Sequence, residues 1–471
     1  MQKLMQVWLR CLLIVAATVF PAMAASAAEG QQWQILAASL VGRQGDSVVA
    51  VAIQSEGSLL LAANVSGGPW MGGDPAGGKP AGRLLRLSPD GRKLLAAVPL
   101  PGEVADMAID GKDNIYLATS AGALKLDPQA AKVLWRFDVG GPCSRIDAAV
   151  DGHCAALRYD NPDQDTLTGA GTIFVIDPQG KQLGQFRGHR NTCDLCIDGA
   201  SKTVVHIGWR QASAHDGKKR QPVQIAYVRG CSYSGEVKYT LYDWSADTDA
   251  PEFINRPTNN MADTRGYRCA IGRDGLLYCA FECAGGNHIF RYHPRLVDGQ
   301  WLPVGQLLPK ADQYHGFHNS RAEHKALVAR FDPATGKLLM EQQFCGRLDS
   351  GRADAVRVKG GAVAADEDGC LLLGGAAPAG LPLSLLPPQT GDYTGGSYLL
   401  VMSNDFRQRL LCTRFQAGGT THAVDARRVG TTLRVLVGGK ASSKPEDGFC
   451  AQNPIQPQGE PGSGFFVLLG R

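Results

Sequence analysis

An all-β fold, a seven-bladed β-propeller closed by pairing of its N- and C-terminal strands, follows from three features of the 471-residue sequence. One hairpin recurs in altered form, as GRLLRLSPDGRKLLAAVPL from 82, GALKLDPQAAKVLWRFDVG from 122, GTIFVIDPQGKQLGQFRGH from 171 and ALVARFDPATGKLLMEQQF from 326. Each copy is an alternating apolar strand, a Pro/Asp/Gly turn and a second strand, so one supersecondary unit repeats around a single fold. A second hairpin is interleaved with it: VADMAIDGKDNIYLAT from 104, RIDAAVDGHCAAL from 145, DLCIDGASKTVVHIG from 194, RCAIGRDGLLYCAF from 268 and AVAADEDGCLLLGG from 362. Helical periodicity is missing beyond the first two dozen residues.

Those first residues carry Lys3 and Arg10, the apolar run Cys11 to Phe20, then Pro21 and small residues. This is the pattern of a secretory signal cleaved after Ala24 or Ala27, too short for a stable membrane span. Residues 1–27 are therefore expected to be a signal peptide and 28–471 one propeller domain, periplasmic or secreted. No later segment runs apolar long enough to cross a bilayer, so a membrane-spanning protein is not expected. Without the signal, twelve cysteines remain and 46 basic residues face 44 acidic ones. An even cysteine number in an oxidising compartment favours disulfides. The best pair is Cys269 with Cys279, each five residues from Asp274 at the turn of one hairpin. Cys193 and Cys196 form CDLC, but on a strand the two positions point to opposite faces, against a redox site. The near-neutral charge balance excludes nucleic acid as a partner.

Taking the second hairpin as strands a and b, nearest the axis, and the first as c and d, inner hairpins begin near 46, 104, 145, 194, 267, 354 and 421. Outer ones begin near 83, 122, 171, 223, 326 and 397. The missing outer pair is supplied by the ends: GFFVLLGR from 464 as strand c and WQILAASLV from 33 as strand d. Pairing them abolishes the open edge. A rival count makes NHIFRYHP from 287 a strand of an eighth blade, without an inner hairpin to support it.

In such a blade the a-b and c-d turns share one rim, and the b-c and d-a connections the other. The first class is short, as in PDG, PATG and RDG; nearly all surplus sequence sits in the second, at 65–82, 158–170, 209–222, 244–266, 282–325, 376–396 and 438–463. Short turns on one rim and long loops on the other are how a rigid scaffold presents a binding surface.

The insertion 282–325 holds His288, His293, His315, His318 and His324, half of the ten histidines. Its stretch DQYHGFHNSRAEH brings together His315, His318, Glu323 and His324, which suit a divalent transition metal such as zinc, or a general base with its orienting carboxylate. A polar loop folded over the face, with no resident cofactor, is the plainer expectation. Trp70, Trp209, Arg265, Tyr314, Arg321 and Tyr393 are ligand-binding candidates, because aromatic faces with Arg and Asp around them suit a sugar ring. The inner strands repeat Asp-x-x-x-Asp-Gly at Asp106/Asp110, Asp147/Asp151 and Asp194/Asp198. The second Asp caps a turn; the first is expected to hold an adjacent blade's amides, with a polar channel as the other option. Arg145, Arg268, Arg352 and His422 lie at comparable strand starts and suit an acidic ligand.

The stretch ALKLDPQAAKVLWRFDVGG, 123–141, resembles the blade repeat of pyrroloquinoline-quinone dehydrogenases and their non-catalytic propeller relatives; no adjacent cysteine pair of the catalytic members occurs. The whole chain is more similar to bacterial secreted β-propeller repeat proteins, through VARFDPATGKLL and VAADEDGCLLLGG. That resemblance implies the fold and export, without an activity. The expected function is ligand binding, of a glycan or a protein, on the long-loop face; the alternative is a polysaccharide hydrolase or lyase working through the histidine-rich loop.

Overall fold

The computed structural model describes residues 32–67, 79–159, 170–216, 219–243, 262–284, 325–344, 353–377, 395–416, 418–456 and 459–471, with the short pieces 296–297, 300–301, 346–347, 380–381 and 386. Seven four-stranded antiparallel sheets form the blades of a propeller, with two further two-stranded ribbons and one 3-10 turn among the described residues. The first blade is Ser47–Ile53, Leu59–Val65, Ala81–Leu87 and Leu94–Pro99, and the next five follow the chain in the same a-b-c-d order. In the seventh, Thr420–Val429 and Thr432–Lys440 are followed by Gly464–Gly470 as strand c and Gln34–Val41 as strand d. That closing pair runs from Gln34 opposite Gly470 to Val41 opposite Gly464, with one register shift between Ile35 and Ala37, and closes the ring as the sequence predicts. The eighth-blade segment from 287 lies outside the described residues.

Burial explains the unbroken apolar inner strands. Seven buried clusters fill the gaps between consecutive blades, including the gap across the chain ends, where Ala37, Phe466 and Leu468 meet Val51, Leu59 and Leu85. The core is therefore a ring of wedges, and sequence length adds blades without thickening it.

Turn chemistry fixes the compact rim. Asp110 accepts from the Lys112 and Asn114 amides at 2.9 and 3.0 Å, and Asp177 from Gln179 and Lys181 at 2.9 and 2.8 Å. Two ion pairs lace this rim around the axis. Arg273 reaches over the sixth blade to Asp425 at 2.9 Å, and Arg427 meets Asp113 of the second blade at 3.2 Å.

Two expectations need correction. The segment 209–222 is no irregular loop: the fourth blade's strands Thr203–Asp216 and Lys219–Ser232 stay paired from Trp209 opposite Ala226 out to Asp216 opposite Lys219, a ribbon continuing the blade. Cys269 and Cys279 do face each other across the ladder, but both are buried free thiols. Opposed strand residues leave Cβ atoms about 4.5–5.5 Å apart, wider than the roughly 3.8 Å a disulfide favours. Cys269 packs instead in one buried cluster with Cys196 of the neighbouring blade. Cys193 and Cys196, also free, pack into different clusters, as opposite-facing residues should.

Candidate functional site

Six of the seven innermost strands carry a register shift against their partner near the start, so that the residue after the shift is set at the axis; the second blade moves from Val104 to Asp106 this way. Such bulges re-aim side chains. Reading the ladders at the same level in all seven blades gives one ring: Ala50, Asp106, Arg145, Asp194, Arg268, Ala362 and Ala423. All seven line an axial cavity of about 370 Å³, together with Asp147 and His422. The ring sits at the strand starts, on the rim from which the long connections leave.

The four polar members each clasp the next blade's first strand. Asp106 accepts the Ile146 amide at 3.2 Å, Arg145 donates through Nε to the Cys193 carbonyl at 3.4 Å, Asp194 accepts the Cys269 amide at 3.1 Å, and Arg268 donates through Nε to the Gly361 carbonyl. One level deeper, Asp147 accepts the Ile197 amide at 2.9 Å. The expectation that the first Asp of each repeat holds an adjacent blade's amides is therefore met at Asp106, Asp147 and Asp194, and these carboxylates line the channel as well.

Asp194 also stands between the two guanidiniums, 3.4 Å from Arg145 and 4.0 Å from Arg268. The Arg145 terminal nitrogens donate no hydrogen bond among the described residues, and Arg268 uses only Nη1, to the Tyr267 carbonyl at 3.4 Å. Tyr159, absent from the candidates drawn from the sequence, stands beside Arg145 and donates to the Cys193 carbonyl at 2.5 Å. Burial pushes the Asp106 carboxyl up to about 6; Arg145 opposes the rise and Asp194 adds to it. Burial takes Asp147 up to about 7 against the pull of the Ile197 and Ala148 amides. Burial, helped by Arg268, brings His422 down to about 4, so the imidazole is neutral at physiological pH.

Of the candidates named from sequence, Trp209 and Arg265 are brought together, but as an anchor. Trp209 is buried against Tyr267 and Phe344, with the Arg265 guanidinium 5.6 Å above its ring. Arg265 is spent on Gln224 and on Asp263 at 3.7 Å. Trp209 thus has no face free for a sugar; it lies on a continuing strand whose inner face packs on the fifth blade. Trp70, Tyr314, Arg321, Tyr393, His315, His318, Glu323, His324 and Arg352 lie outside the described residues. Among the described residues no group of three or more His, Cys, Asp or Glu is placed to hold a metal ion, and no helix is long and apolar enough to cross a membrane.

No protein-family model and no curated protein matches the chain. Among solved structures it is similar to the RRP9 WD40 repeats, at 11% identity and a TM-score of 0.48 over 93% of this chain and 100% of that one. It is similar also to hydrazine synthase of Kuenenia stuttgartiensis, at 11% and 0.45 over 82% and 92%, and to the Pan2 WD40 domain of Neurospora crassa, at 10% and 0.44 over 93% and 95%. At this distance nothing about ligand or activity passes from those proteins to this one.

Proposed function

We propose that the protein is an exported, non-enzymatic binding propeller that takes a glycan on its long-loop face, seating a sugar unit in the axial cavity. The observation that carries this is the cavity lining: guanidiniums and carboxylates converge at the loop-bearing mouth of a space of about 370 Å³. A sugar presents hydroxyls that both donate and accept, and needs groups of both kinds held rigidly. A protein partner would instead call for an apolar patch at the centre of the contact. Of the exposed large apolar side chains among the described residues, Leu95, Val133, Leu134, Leu183 and Val237 lie on outermost strands away from the axis, and Val150 lies in an inner turn on the compact rim, opposite the long-loop face. Export rests on residues 1–27 and places the protein in the periplasm or outside the cell.

The test is a glycan array probed with the labelled mature protein and with Arg268→Ala. Glycan binding lost in the variant supports the proposal; failure of the folded wild type to bind any glycan overturns it. A second reading, a polysaccharide hydrolase or lyase, draws on Asp106 and Asp147, whose carboxyls are raised to about 6 and about 7, where a general acid or base works. Release of reducing ends or unsaturated products from a bound polysaccharide would replace the binding proposal with the enzymatic one. A signal–alkaline phosphatase fusion tests export, active enzyme outside the cytoplasm being the expected result.

A further inference from the structure

We infer that the sugar unit taken at the axis carries a carboxylate, a uronate, and that Arg145 and Arg268 form the subsite for it; this rests on the glycan reading above. Each guanidinium is fixed through Nε to a neighbouring blade's carbonyl, Cys193 for Arg145 and Gly361 for Arg268. Their side chains are held at 15% and 13% exposure, so little freedom is left to lose on binding. Both arginines line the cavity, where the two terminal nitrogens of Arg145 and Nη2 of Arg268 are left over for a carboxylate.

Charge selects among anions. Two guanidiniums, permanently charged, face Asp194 between them. Asp106 and Asp147 stand on the same wall, and burial raises both carboxyls, Asp147 the further. The carboxylates on this wall offset most of the positive charge, so the guanidinium ends suit one negative charge at most, which disfavours a phosphate dianion. The three ring alanines, Ala50, Ala362 and Ala423, leave open the half of the ring opposite the arginines, where the rest of the sugar fits. Burial keeps His422 neutral, so it adds a hydrogen-bonding group without charge.

Titration calorimetry on the full mature protein with D-glucuronate, D-glucose, glucose 6-phosphate and acetate tests this. The expected result is glucuronate tighter than glucose and than glucose 6-phosphate. In Arg145→Gln and Arg268→Gln glucuronate should bind about tenfold to hundredfold more weakly, the worth of a charged hydrogen bond. Unchanged affinity in both variants overturns the subsite. Glucose binding as tightly as glucuronate overturns the carboxylate while leaving the glycan proposal standing. Acetate binding with the same arginine dependence, and no gain from the sugar ring, keeps the carboxylate subsite and removes the glycan. Tighter glucose 6-phosphate overturns the choice of anion. Should a variant fail to fold, the wild-type comparison of the four probes still decides.

Discussion

Replacing Asp147 with Asn should make the propeller more stable above neutral pH and leave it unchanged in acid. Asp147 lines the axial cavity and accepts the Ile197 amide at 2.9 Å, and burial pushes its carboxyl up to about 7. An unfolded aspartate titrates near 3.9, so the gap is about 3 pH units, worth roughly 4 kcal/mol at about 1.36 kcal/mol per unit. Water in the cavity screens a half-buried carboxylate, and roughly 2 kcal/mol is the figure to expect. The sign follows from proton counting. Below about pH 3.9 the group is protonated in both states and the wild type has its full stability. As pH rises through about 7 the unfolded chain releases its proton first, and stability is lost. Asparagine keeps an acceptor for the Ile197 amide but has nothing to ionise. Guanidinium chloride unfolding of wild type and Asp147→Asn, followed by tryptophan fluorescence from pH 4.5 to 8, reads the difference. Asp106 and His422 titrate in both proteins and cancel. The difference should be about 1 kcal/mol at pH 4.5, where the unfolded chain is already mostly ionised, and rise to roughly 2 kcal/mol in favour of the variant at pH 8. A variant equally or less stable at pH 8, or a difference that does not change with pH, refutes a desolvated carboxylate at this position.

Three further outcomes follow from the fold. Ending the chain at Gly462 removes the fully buried strand Gly464–Gly470 and leaves Gln34–Val41 without a partner; exposed sheet edges then recruit one another, and size-exclusion chromatography should show aggregates where the full chain is a defined species. Asp425→Ala strips Arg273 of its ion pair and leaves the Ile53 amide, now bonded at 2.7 Å, without an acceptor; a loss of roughly 2–3 kcal/mol in denaturant unfolding is expected, with Arg273→Ala costing less because the Ile53 bond survives. Burial lifts the Cys196 thiol to about 12 and raises Cys269 and Cys279 well above their ordinary value, so these three should resist a disulfide reagent such as DTNB at pH 8 in the folded protein and react once it is unfolded; mass spectrometry locating a Cys269–Cys279 bond would restore the expectation drawn from spacing.

The propeller was legible because its signals are local and repeated. Turn sequences such as the PDG at 89–91 and the DG pairs fix hairpins within a dozen residues, and the lone strands at the two ends left one arrangement that closed every edge. Even the clasp by Asp106, Asp147 and Asp194 could be foreseen, since a carboxylate on an innermost strand has few partners besides the next blade's amides. Trp209 was misjudged because a strand that outruns its blade looks like a loop rich in polar residues, and only its pairing with Ala226 and its packing on Tyr267 show it to be core. The cysteine pair failed for a different reason. Register can be counted from a turn, but whether two sulfurs meet depends on fractions of an ångström that no spacing encodes.

The ring at the strand starts distinguishes scaffold from site in a way that no single residue does. If the blade-to-blade clasp were the whole purpose of its polar side chains, every interface would need one. Yet Ala50, Ala362 and Ala423 occupy the same level, and the blades that carry them still join their neighbours through buried clusters and, in the first, through Asn64, which exchanges two bonds of 2.8 Å with Val104. A clasp at this level is therefore dispensable for closing the ring. It is present on four consecutive blades, in the order Asp106, Arg145, Asp194, Arg268, so that each guanidinium has a carboxylate before it and Asp194 serves both. Clustering them on one side and leaving alanines on the other yields a cavity with a charged wall and an open one. Seven-fold repetition alone cannot produce that asymmetry, and a ligand with one anionic end and a bulkier remainder is the kind of molecule it fits.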